Sequence, residues 1–372
     1  MKVLLAATSY PRDRTDWKGR FIYDQAAALA RKGIAVRLWA PPGDLPTGVT
    51  SALAADDTEW LGDLLAQGGI AHLLRRRPWA GVWGGGQLLR RLRRACQHEA
   101  RHPASADLYL INWLQNALAL PDDGRPAIVT VLGSDLGLLR LPGMAWALRR
   151  QFRRRPTLLA PNAAWMVPRL EALFGEVAAI RCIPFGVDAR WFAIERQVPA
   201  TPRWLVVSRL TRAKLGPLFE WGEALFSNGR ELHLFGPMQE TIDLPAWVHY
   251  HGATNPDHLR EQHFPSATGL LSLSQHDEGR PQVMLEAMAA GLPMIASDLA
   301  AHRDFLTHNE TGWLVNRPED MAAGLGYLEI PENNRRIGQA ARQWIKTSIG
   351  DWDDCAARYL AAHEALPRGT MP

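Results

Sequence analysis

Residues 269–296 read GLLSLSQHDEGRPQVMLEAMAAGLPMIA, and this stretch decides the fold class. It begins with a short apolar run over 269–273 and continues through a polar loop. Helically spaced apolar residues follow over 281–290, and a second apolar run covers 294–296. Short apolar runs are typical of strands buried in a parallel sheet, and a helix between two of them provides the crossover that parallel strands require. The stretch therefore predicts a β-α-β unit of an α/β protein.

The same alternation recurs along the rest of the chain. At its start, apolar runs over 3–7 and 34–39 flank a helical pattern over 21–32, which ends at Gly33. Further strands are predicted at residues 108–111, 127–132, 178–183, 204–207, 232–235 and 248–250. Two such series in one chain predict two Rossmann-like domains that face each other across a cleft.

A stretch with two prolines at residues 196–202 is the predicted linker between these domains. We therefore expect a first domain over residues 1–195 and a second domain over 196–350. A helical pattern near the end of the chain predicts that 351–372 holds a C-terminal helix that packs back on the first domain. Residues 351–353 spell the D-x-D pattern of some metal sites, but no strand precedes them, so we interpret them as a helix start.

Composition bounds the class of protein. The chain has 372 residues, of which 47% are apolar and 22% charged, as in a packed globular protein of two domains. The three cysteines, Cys96, Cys182 and Cys355, lie far apart without metal-site spacing, which indicates a reducing compartment rather than a disulfide or zinc framework. No apolar stretch approaches the roughly 20 residues that a membrane span requires, and no signal segment is evident. We expect a cytoplasmic protein.

Charge is unevenly distributed along the chain. Residues 1–195 hold 26 Lys and Arg against 17 Asp and Glu, a net charge of +9, whereas 196–372 hold 16 against 21, a net charge of −5. Arginine clusters lie beside leucine and tryptophan at 73–79, 88–94 and 146–155. This combination suits an anionic membrane surface, so we expect peripheral association with the inner membrane face. Ordinary solvated helices are the alternative, and nucleic acid is not expected because no recognition module accompanies the arginines.

Two glutamates in the opening stretch point to a ligand. Glu278 follows a strand and precedes a helix, which is the edge where open α/β sheets bind ligands and where helix amides favour phosphate. Glu286 lies two turns further on, between the apolar residues Leu285 and Met288. A carboxylate there must be solvated or must bind the hydroxyl groups of a ligand. The alternative is a pair of solvated surface glutamates.

This segment resembles the E-x7-E signature of retaining glycosyltransferases with the GT-B fold, in the large group-1 family (family four). The family pattern runs E-G-x-P-x-x-x-L-E-A-M-A-x-G-x-P-V-I-A. It is matched by Glu278, Gly279, Pro281, Leu285, Glu286, Ala287, Met288, Ala289, Gly291, Pro293, Ile295 and Ala296. The resemblance implies that Glu278 binds hydroxyls of the transferred sugar and Glu286 the nucleotide ribose. Backbone amides near the helix start are expected to assist in donor binding, over the residues Gly279, Arg280, Pro281, Gln282 and Val283.

A second match, S-R-L-T-R-A-K over residues 208–214, follows the first strand of the second domain. It resembles the family segment R-L-x-x-x-K, whose Arg and Lys grip the donor pyrophosphate. A diphosphate leaving group needs cations or a metal ion to stabilise its developing charge. Arg209 and Lys214 are the expected cations, with Arg212 as a substitute for either. We expect no metal site and no cofactor, with a nucleotide diphosphate sugar as the donor substrate.

The first domain offers weaker matches. Gly19 lies in a G-R-F segment that resembles the family's G-x-F entrance loop near the donor phosphate and the acceptor. The segment T-V-L-G-S-D over residues 130–135 departs from the family pattern, because Leu132 stands where many members have a histidine that contacts the donor sugar. Asp135 is the nearest alternative base, and a helix N-cap is an equally plausible role for it.

The resemblance implies a metal-independent, retaining transfer of a sugar to a hydroxyl group of a glycan or of a lipid-linked acceptor in polysaccharide or glycolipid assembly. The rival prediction is a catalytically weak nucleotide-sugar-binding partner subunit, which Leu132 motivates. An epimerase or phosphorylase with the same fold is a further rival, although a phosphorylase needs a lysine for pyridoxal phosphate and lysines are few in this chain.

Overall fold

A computed structural model divides the chain into two compact units: unit 1, residues 1–184 with 352–372, and unit 2, residues 185–351. The structure describes residues 1–366 except 68, 103–104, 228 and 277, and except the side chains of 71, 72, 74 and 75. Among the described residues, no helix combines the length and the apolar character that crossing a bilayer takes.

Unit 1 is built on a seven-stranded parallel sheet with the order β3-β2-β1-β4-β5-β6-β7. Its strands are β1 (Lys2–Ala6), β2 (Ala35–Trp39), β3 (Val49–Ser51), β4 (Leu108–Asn112), β5 (Ala127–Val131), β6 (Thr157–Pro161) and β7 (Ala179–Ile180). The helices between them are α1 (Arg20–Arg31), α2 (Ala55–Ala66), α3 (Gly69–Arg76), α4 (Pro78–Arg101), α5 (Met144–Phe152) and α6 (Val167–Phe174). The central strands β4, β5 and β6 are buried along their whole length, as the continuous apolar runs of β4 and β5 predict.

Unit 2 is built on a six-stranded parallel sheet with the order β10-β9-β8-β11-β12-β13. Its strands are β8 (Arg203–Val207), β9 (Glu231–Phe235), β10 (Val248–Gly252), β11 (Gly269–Ser272), β12 (Met294–Ser297) and β13 (Trp313–Val315). Its helices are α7 (Arg212–Leu215), α8 (Leu218–Phe226), α9 (Pro256–His258), α10 (Gln282–Ala289), α11 (Ala300–Arg303), α12 (Pro318–Leu328) and α13 (Pro331–Ser348). The two Rossmann-like units confirm the predicted α/β fold class.

The last helix, α14 (Trp352–Glu364), belongs to unit 1. It packs on α1, and Asp353 accepts hydrogen bonds from the guanidinium of Arg31 at 2.9 and 2.5 Å. In the interior, the hydroxyl groups of Tyr359 and Thr130 lie 2.9 Å apart. The D-W-D stretch therefore lies at a helix start. The predicted C-terminal segment extends to residue 372, and its last six residues lie outside the described part.

The boundary between the units differs from the expected one. We predicted the first domain to end at residue 195, whereas the structure assigns the chain to unit 2 from Phe185 onward. The reason is packing that the linker composition does not reveal. Val187 pairs with Asp351, and the ring of Trp191 lies 4.8 Å from that of Phe264 in an edge-on contact.

Candidate functional site

Arg209, Lys214 and Glu278, the first glutamate of the E-x7-E signature, lie near the carboxyl ends of the unit 2 strands. Two glycines let the loops at this edge pack backbone against backbone. A Cβ on Gly216, whose φ is +55°, would lie 2.0 Å from the carbonyl oxygen of Leu273, and one on Gly236 would lie 1.7 Å from that of Ser208. The amide of Gln275 also donates to the carbonyl oxygen of Ala213 at 2.8 Å. Helix α7 is thereby held against the loop that follows β11.

Lys214 and Glu278 form an ion pair across this contact. Thr211 caps α7 and accepts a hydrogen bond from the Lys214 amide at 3.2 Å, which fixes the short helix that carries the lysine. The ammonium group of Lys214 pairs with Oε1 of Glu278, and both side chains are largely buried. Burial lowers the pKa of Lys214; the carboxylate of Glu278 raises it, and the charge of Arg209 lowers it further.

Arg209 supplies a second positive charge beside this pair. Its side chain is exposed, and among the residues that the structure describes no carboxylate pairs with it. It lies in the segment between β8 and α7, shortly before Lys214 in the chain, and its charge lowers the pKa of that lysine. The structure therefore brings together Arg209, Lys214 and Glu278, two cations and one carboxylate, at a strand edge that suits a ligand with both phosphate and hydroxyl groups.

A chain of hydrogen bonds supports Glu278 from the interior. Ser274 donates through Oγ to Oε1 of Glu278 at 2.9 Å, and Ser297 donates through Oγ to the carbonyl oxygen of Ser274 at 2.6 Å. His302, which is fully buried, lies 2.7 Å through Nδ1 from the carbonyl oxygen of Ser297. Because a carbonyl can only accept, Nδ1 carries the proton. The sequence analysis did not identify Ser274, Ser297 or His302 as site residues. Only Ser274 could have been suspected, because it lies just after β11, at the edge where such sheets bind ligands.

The imidazole of His302 is held in its neutral form. Burial lowers its pKa, and the hydrogen bond to Ser297 and the charge of Glu278 oppose that effect. Its Nε2 atom is buried without a hydrogen-bond partner among the described residues. The group therefore serves the site as a neutral support rather than as a third cation.

Helix α10 carries the remaining predicted residues of the signature. Its first residue, Gln282, donates through Nε2 to the carbonyl oxygen of Gly186 at 2.8 Å, and Val283 packs on the core. Glu286 lies one turn after Gln282 on the same helix face and is partly buried. Pro281 occupies the position before the helix. The roles of these residues toward a donor stay predictions.

Arg280, which we expect to assist donor binding through its backbone amide, has a side chain that is engaged within the protein. Its guanidinium pairs with the carboxylate of Asp304, both side chains are nearly buried, and it lies 5.9 Å over the ring of Phe305. Its charge is already neutralised, so it ties the loop after β11 to the segment that follows α11. Gly279, its neighbour in this loop, is buried.

In unit 1, Asp135 has a structural role, but not that of the helix N-cap that we considered, because Gly133 holds the cap position of the helical turn over Ser134–Arg140. Its Oδ2 accepts a hydrogen bond from the amide of Leu114 at 2.9 Å and its Oδ1 from that of Leu132 at 3.0 Å. The residue is 2% exposed, and burial raises its pKa although these hydrogen bonds lower it. Both oxygens hold two loops together, which argues against Asp135 as a base that meets a ligand.

The other carboxyl-end loops of unit 1 show strained backbone. Gly19 has a φ of +64°, and a Cβ there would lie 2.6 Å from the amide nitrogen of Tyr10, so its own loop already requires glycine. Trp113, directly after β4, has a φ of +67°, which is unusual for a bulky residue. Its ring lies 6.0 Å from that of Phe21. Strain of this kind concentrates at functional sites.

Among the described residues, no group of three or more His, Cys, Asp or Glu side chains is placed to hold a metal ion.

Comparisons with known proteins identify unit 2 most directly. Residues 238–344, which include Glu278 and Glu286, match the model of the family "Glycosyl transferases group 1". Over 87 residues the chain is 37% identical to the phosphatidyl-myo-inositol mannosyltransferase of Mycolicibacterium smegmatis, a match that covers 23% of this chain and 22% of that protein. The spore coat protein SA of Bacillus subtilis is 26% identical over 139 residues, 36% of this chain and 35% of that protein. These matches span about a fifth to a third of the relatives' lengths.

Solved structures extend the likeness to almost the whole chain. Sucrose-phosphate synthase from Thermosynechococcus elongatus superposes with a TM-score of 0.72 at 15% identity, covering 98% of each chain. HepE of Anabaena, solved in complex with UDP and glucose, gives a TM-score of 0.68 at 15% identity, covering 98% of this chain and 100% of that one. At this identity the likeness concerns the fold. Residues 238–344 are thus similar to the glycosyl transferases group 1 family, in a chain that has the two Rossmann-like units of the GT-B fold.

Proposed function

We propose that this protein is a glycosyltransferase that moves a sugar from a nucleotide diphosphate donor to a hydroxyl group, with retention of anomeric configuration and without a metal ion. The observation that carries the proposal is the grouping of Arg209, Lys214 and Glu278 at the carboxyl edge of the unit 2 sheet. The family match over residues 238–344 supports it. So does the fold likeness to HepE, which was solved with UDP and glucose.

In this proposal the donor exchanges partners with the resting ion pair. The donor diphosphate binds Arg209 and Lys214, whose charges stabilise the negative charge that develops on the leaving group. Glu278, still held by Ser274, accepts hydrogen bonds from sugar hydroxyls. Glu286 binds the ribose. Two cations thus replace the metal ion that a diphosphate leaving group otherwise needs.

The transfer step needs no carboxylate base. The bond between the anomeric carbon and the diphosphate oxygen breaks, and a bond to the acceptor oxygen forms on the same face of the sugar. The proton of the acceptor hydroxyl passes to the departing diphosphate oxygen. Because both oxygens of Asp135 are occupied by backbone amides, the diphosphate is the base that this chain supports.

The acceptor is a glycan or a lipid-linked molecule. Two relatives that match over a short stretch are named as mannosyltransferases that act on phosphatidylinositol lipids. We assign acceptor binding to unit 1, where Gly19, Phe21 and Trp113 cluster around the ends of β1 and β4.

The test compares Lys214→Met and Arg209→Met with the matched control Arg317→Met. Arg317 is an exposed arginine of the same unit, and its guanidinium pairs with Asp320 at 3.1 Å rather than with Glu278. With a panel of UDP-, GDP-, ADP- and dTDP-sugars, we expect each site variant to lose roughly 100- to 1,000-fold in kcat/KM for transfer or donor hydrolysis. The control retains at least half the activity. Lys214→Met with activity within twofold of wild type contradicts the proposal.

A second candidate function rests on Leu132, which stands where the family resemblance implies a histidine. In this alternative the chain binds nucleotide sugars as a partner subunit and turns them over poorly. The same panel separates the two: donors that raise the melting temperature, with neither transfer nor hydrolysis across lipid and glycan acceptors, establish the binding subunit.

A further inference from the structure

Helix α4 has one buried face and one face with solvent-exposed apolar side chains. Its buried face contains Gly84, where a Cβ would lie 3.1 Å from Cδ1 of Ile70 in α3, so the neighbouring helix packs closely there. On the outer side, Trp79, Val82 and Trp83 are 87%, 61% and 64% exposed. We name these three residues the tryptophan face. Clustered exposed apolar side chains of this size mark an interaction surface.

Arginines flank the tryptophan face at both ends. Arg76 and Arg77 precede it, and Arg90 and Arg94 follow on the same side of α4 at helical spacing from Trp83. All four are exposed, and within the described ranges no carboxylate pairs with any of them. The patch therefore combines exposed apolar side chains at its centre with arginine charges that no carboxylate of the described residues neutralises.

The topology places this patch at the ligand-binding end of unit 1. Helix α4 leads into β4 and α5 leads into β6, so both helices run against the parallel strands and begin at the carboxyl edge of the sheet. Both are anchored at the carbonyl oxygen of Leu120, which accepts from Arg93 at 3.4 Å and from Gln151 at 2.7 Å. Trp146 of α5 is 65% exposed. It precedes the anchoring residue Gln151 in its helix, as Trp83 precedes Arg93 in α4.

We propose that the tryptophan face docks unit 1 on an anionic lipid bilayer. Tryptophan and valine insert at the level of the headgroups, and the four arginines bind lipid phosphates. Charge complementarity selects this occupant over a second copy of the chain, since a symmetric contact brings the same arginines against each other. The docking itself is independent of the proposed function; its purpose, bringing the carboxyl edge of unit 1 to a lipid-linked acceptor, rests on that function.

Vesicle flotation tests the proposal with the full chain. Vesicles of phosphatidylglycerol and phosphatidylcholine are compared with vesicles of phosphatidylcholine alone, at about 0.15 M salt. We expect the wild type to float with the anionic vesicles, and the triple variant Trp79→Ser, Val82→Ser, Trp83→Ser to lose at least roughly tenfold in partitioning. Ile330→Ser, which removes a 50% exposed apolar side chain of unit 2, is the matched control and floats like the wild type.

A charge variant provides an independent arm. Replacing Arg76, Arg77, Arg90 and Arg94 by Ser lowers partitioning by roughly fivefold per arginine and removes the dependence on phosphatidylglycerol. The proposal is overturned if the wild type stays with the lipid-free fraction, or if the well-folded triple variant floats like the wild type. A concentration-dependent dimer that the triple variant abolishes assigns the face to self-association and also overturns it.

Donor binding separates this proposal from the proposed function. The triple variant keeps the same rise in melting temperature with nucleotide sugars as the wild type, because its changes lie in unit 1, whereas Arg209 and Lys214 belong to unit 2. Lost flotation with an intact shift supports docking. Intact flotation without any nucleotide-induced shift in the wild type leaves the docking surface standing and contradicts the glycosyltransferase assignment.

Discussion

At the scale of single residues, one oxygen of Glu278 receives both the ammonium of Lys214 and the hydroxyl of Ser274. Behind them, the imidazole of His302 holds Ser297, which in turn holds Ser274. A side chain that never reaches the surface thereby fixes the orientation of the carboxylate that we propose to meet the sugar. Such second-level support keeps a site within the narrow geometry that chemistry requires.

We predict that His302→Leu lowers the free energy of unfolding by about 0.5–1.5 kcal/mol, because the carbonyl of Ser297 loses one donor and keeps the amide of Leu299 at 2.9 Å. His302→Asn, whose side-chain amide replaces the Nδ1 donor, restores most of this loss. Urea unfolding of the two variants measures the effect. Equal stability of both variants and the wild type would show that this hydrogen bond carries no weight.

The limits of sequence reasoning at this scale have a physical cause. Glu278, Arg209 and Lys214 could be predicted because the family resemblance implies their roles. Each also lies in the segment between a strand and the next helix or in the first turn of that helix, and parallel strands end at the same edge. His302 follows a different strand, β12, and no spacing connects it to Glu278. Arg280 has the charge of a phosphate ligand, and only the fold shows that Asp304 neutralises it.

At the scale of elements, α14 joins unit 1 through polar contacts as well as apolar ones. We predict that Tyr359→Phe and Thr130→Val each lower the free energy of unfolding by about 0.5–1.5 kcal/mol, since each removes one partner of a buried hydrogen bond. The double variant costs less than the sum of the two, which a double-mutant cycle measures. As a control, Tyr327→Phe removes a more exposed bond from Arg336 and costs less.

Strands β9 and β10 of unit 2 carry a stack of histidines. Nδ1 of His233 lies 2.9 Å from Nε2 of His251, and the rings of His251 and His263 both pack on Phe235. Burial, followed by the charges of the neighbouring histidines and Arg203, lowers the pKa of His263 to about 4. The folded state therefore favours neutral imidazoles at this edge of the sheet.

This arrangement predicts a pH dependence of stability with a definite sign. Because the pKa of His263 in the fold is about 4, below the ordinary 6.5, its contribution is fully present above pH 6.5 and is lost as the pH falls toward 4. In urea unfolding at pH 7 and pH 4.5, His263→Gln therefore loses less stability on acidification than the wild type. An equal or greater loss in the variant contradicts this assignment.

At the scale of the whole molecule, the charge asymmetry is the same for the structural units as for the predicted halves. Unit 1 holds 27 Lys and Arg against 18 Asp and Glu, a net charge of +9, and unit 2 holds 15 against 20, a net charge of −5. Asp188, Arg190 and Glu195 move to unit 2 and residues 352–372 move to unit 1, and these two changes cancel. The basic character thus belongs to the unit that carries the tryptophan face.

Each unit has its own hydrophobic core, so we predict two unfolding transitions in calorimetry. A nucleotide diphosphate shifts only the transition of unit 2, by about 2.7 kcal/mol at a hundredfold excess over its Kd. Lys214→Met reduces that shift and so identifies the transition. A single transition that moves as one with nucleotide contradicts the prediction.

The sheets of both units were predictable because most of their strands are uninterrupted apolar runs. Two unit 1 strands were not predicted: β3 is short and mostly exposed, and β6 directly follows the arginines of residues 153–155, which mask its apolar run. The unit boundary could not be predicted, since it depends on where Val187 and Trp191 find partners far along the chain.

The ion pair between Lys214 and Glu278 also bears on which small anions can compete in a cell. Inorganic phosphate or pyrophosphate that took Lys214 would leave a largely buried carboxylate without its cation, which costs free energy. In the function proposed above, a nucleotide sugar brings hydroxyl donors together with its phosphates and satisfies both groups in one event. On that proposal, the resting pair disfavours mineral phosphates at a site that would otherwise attract them by charge alone.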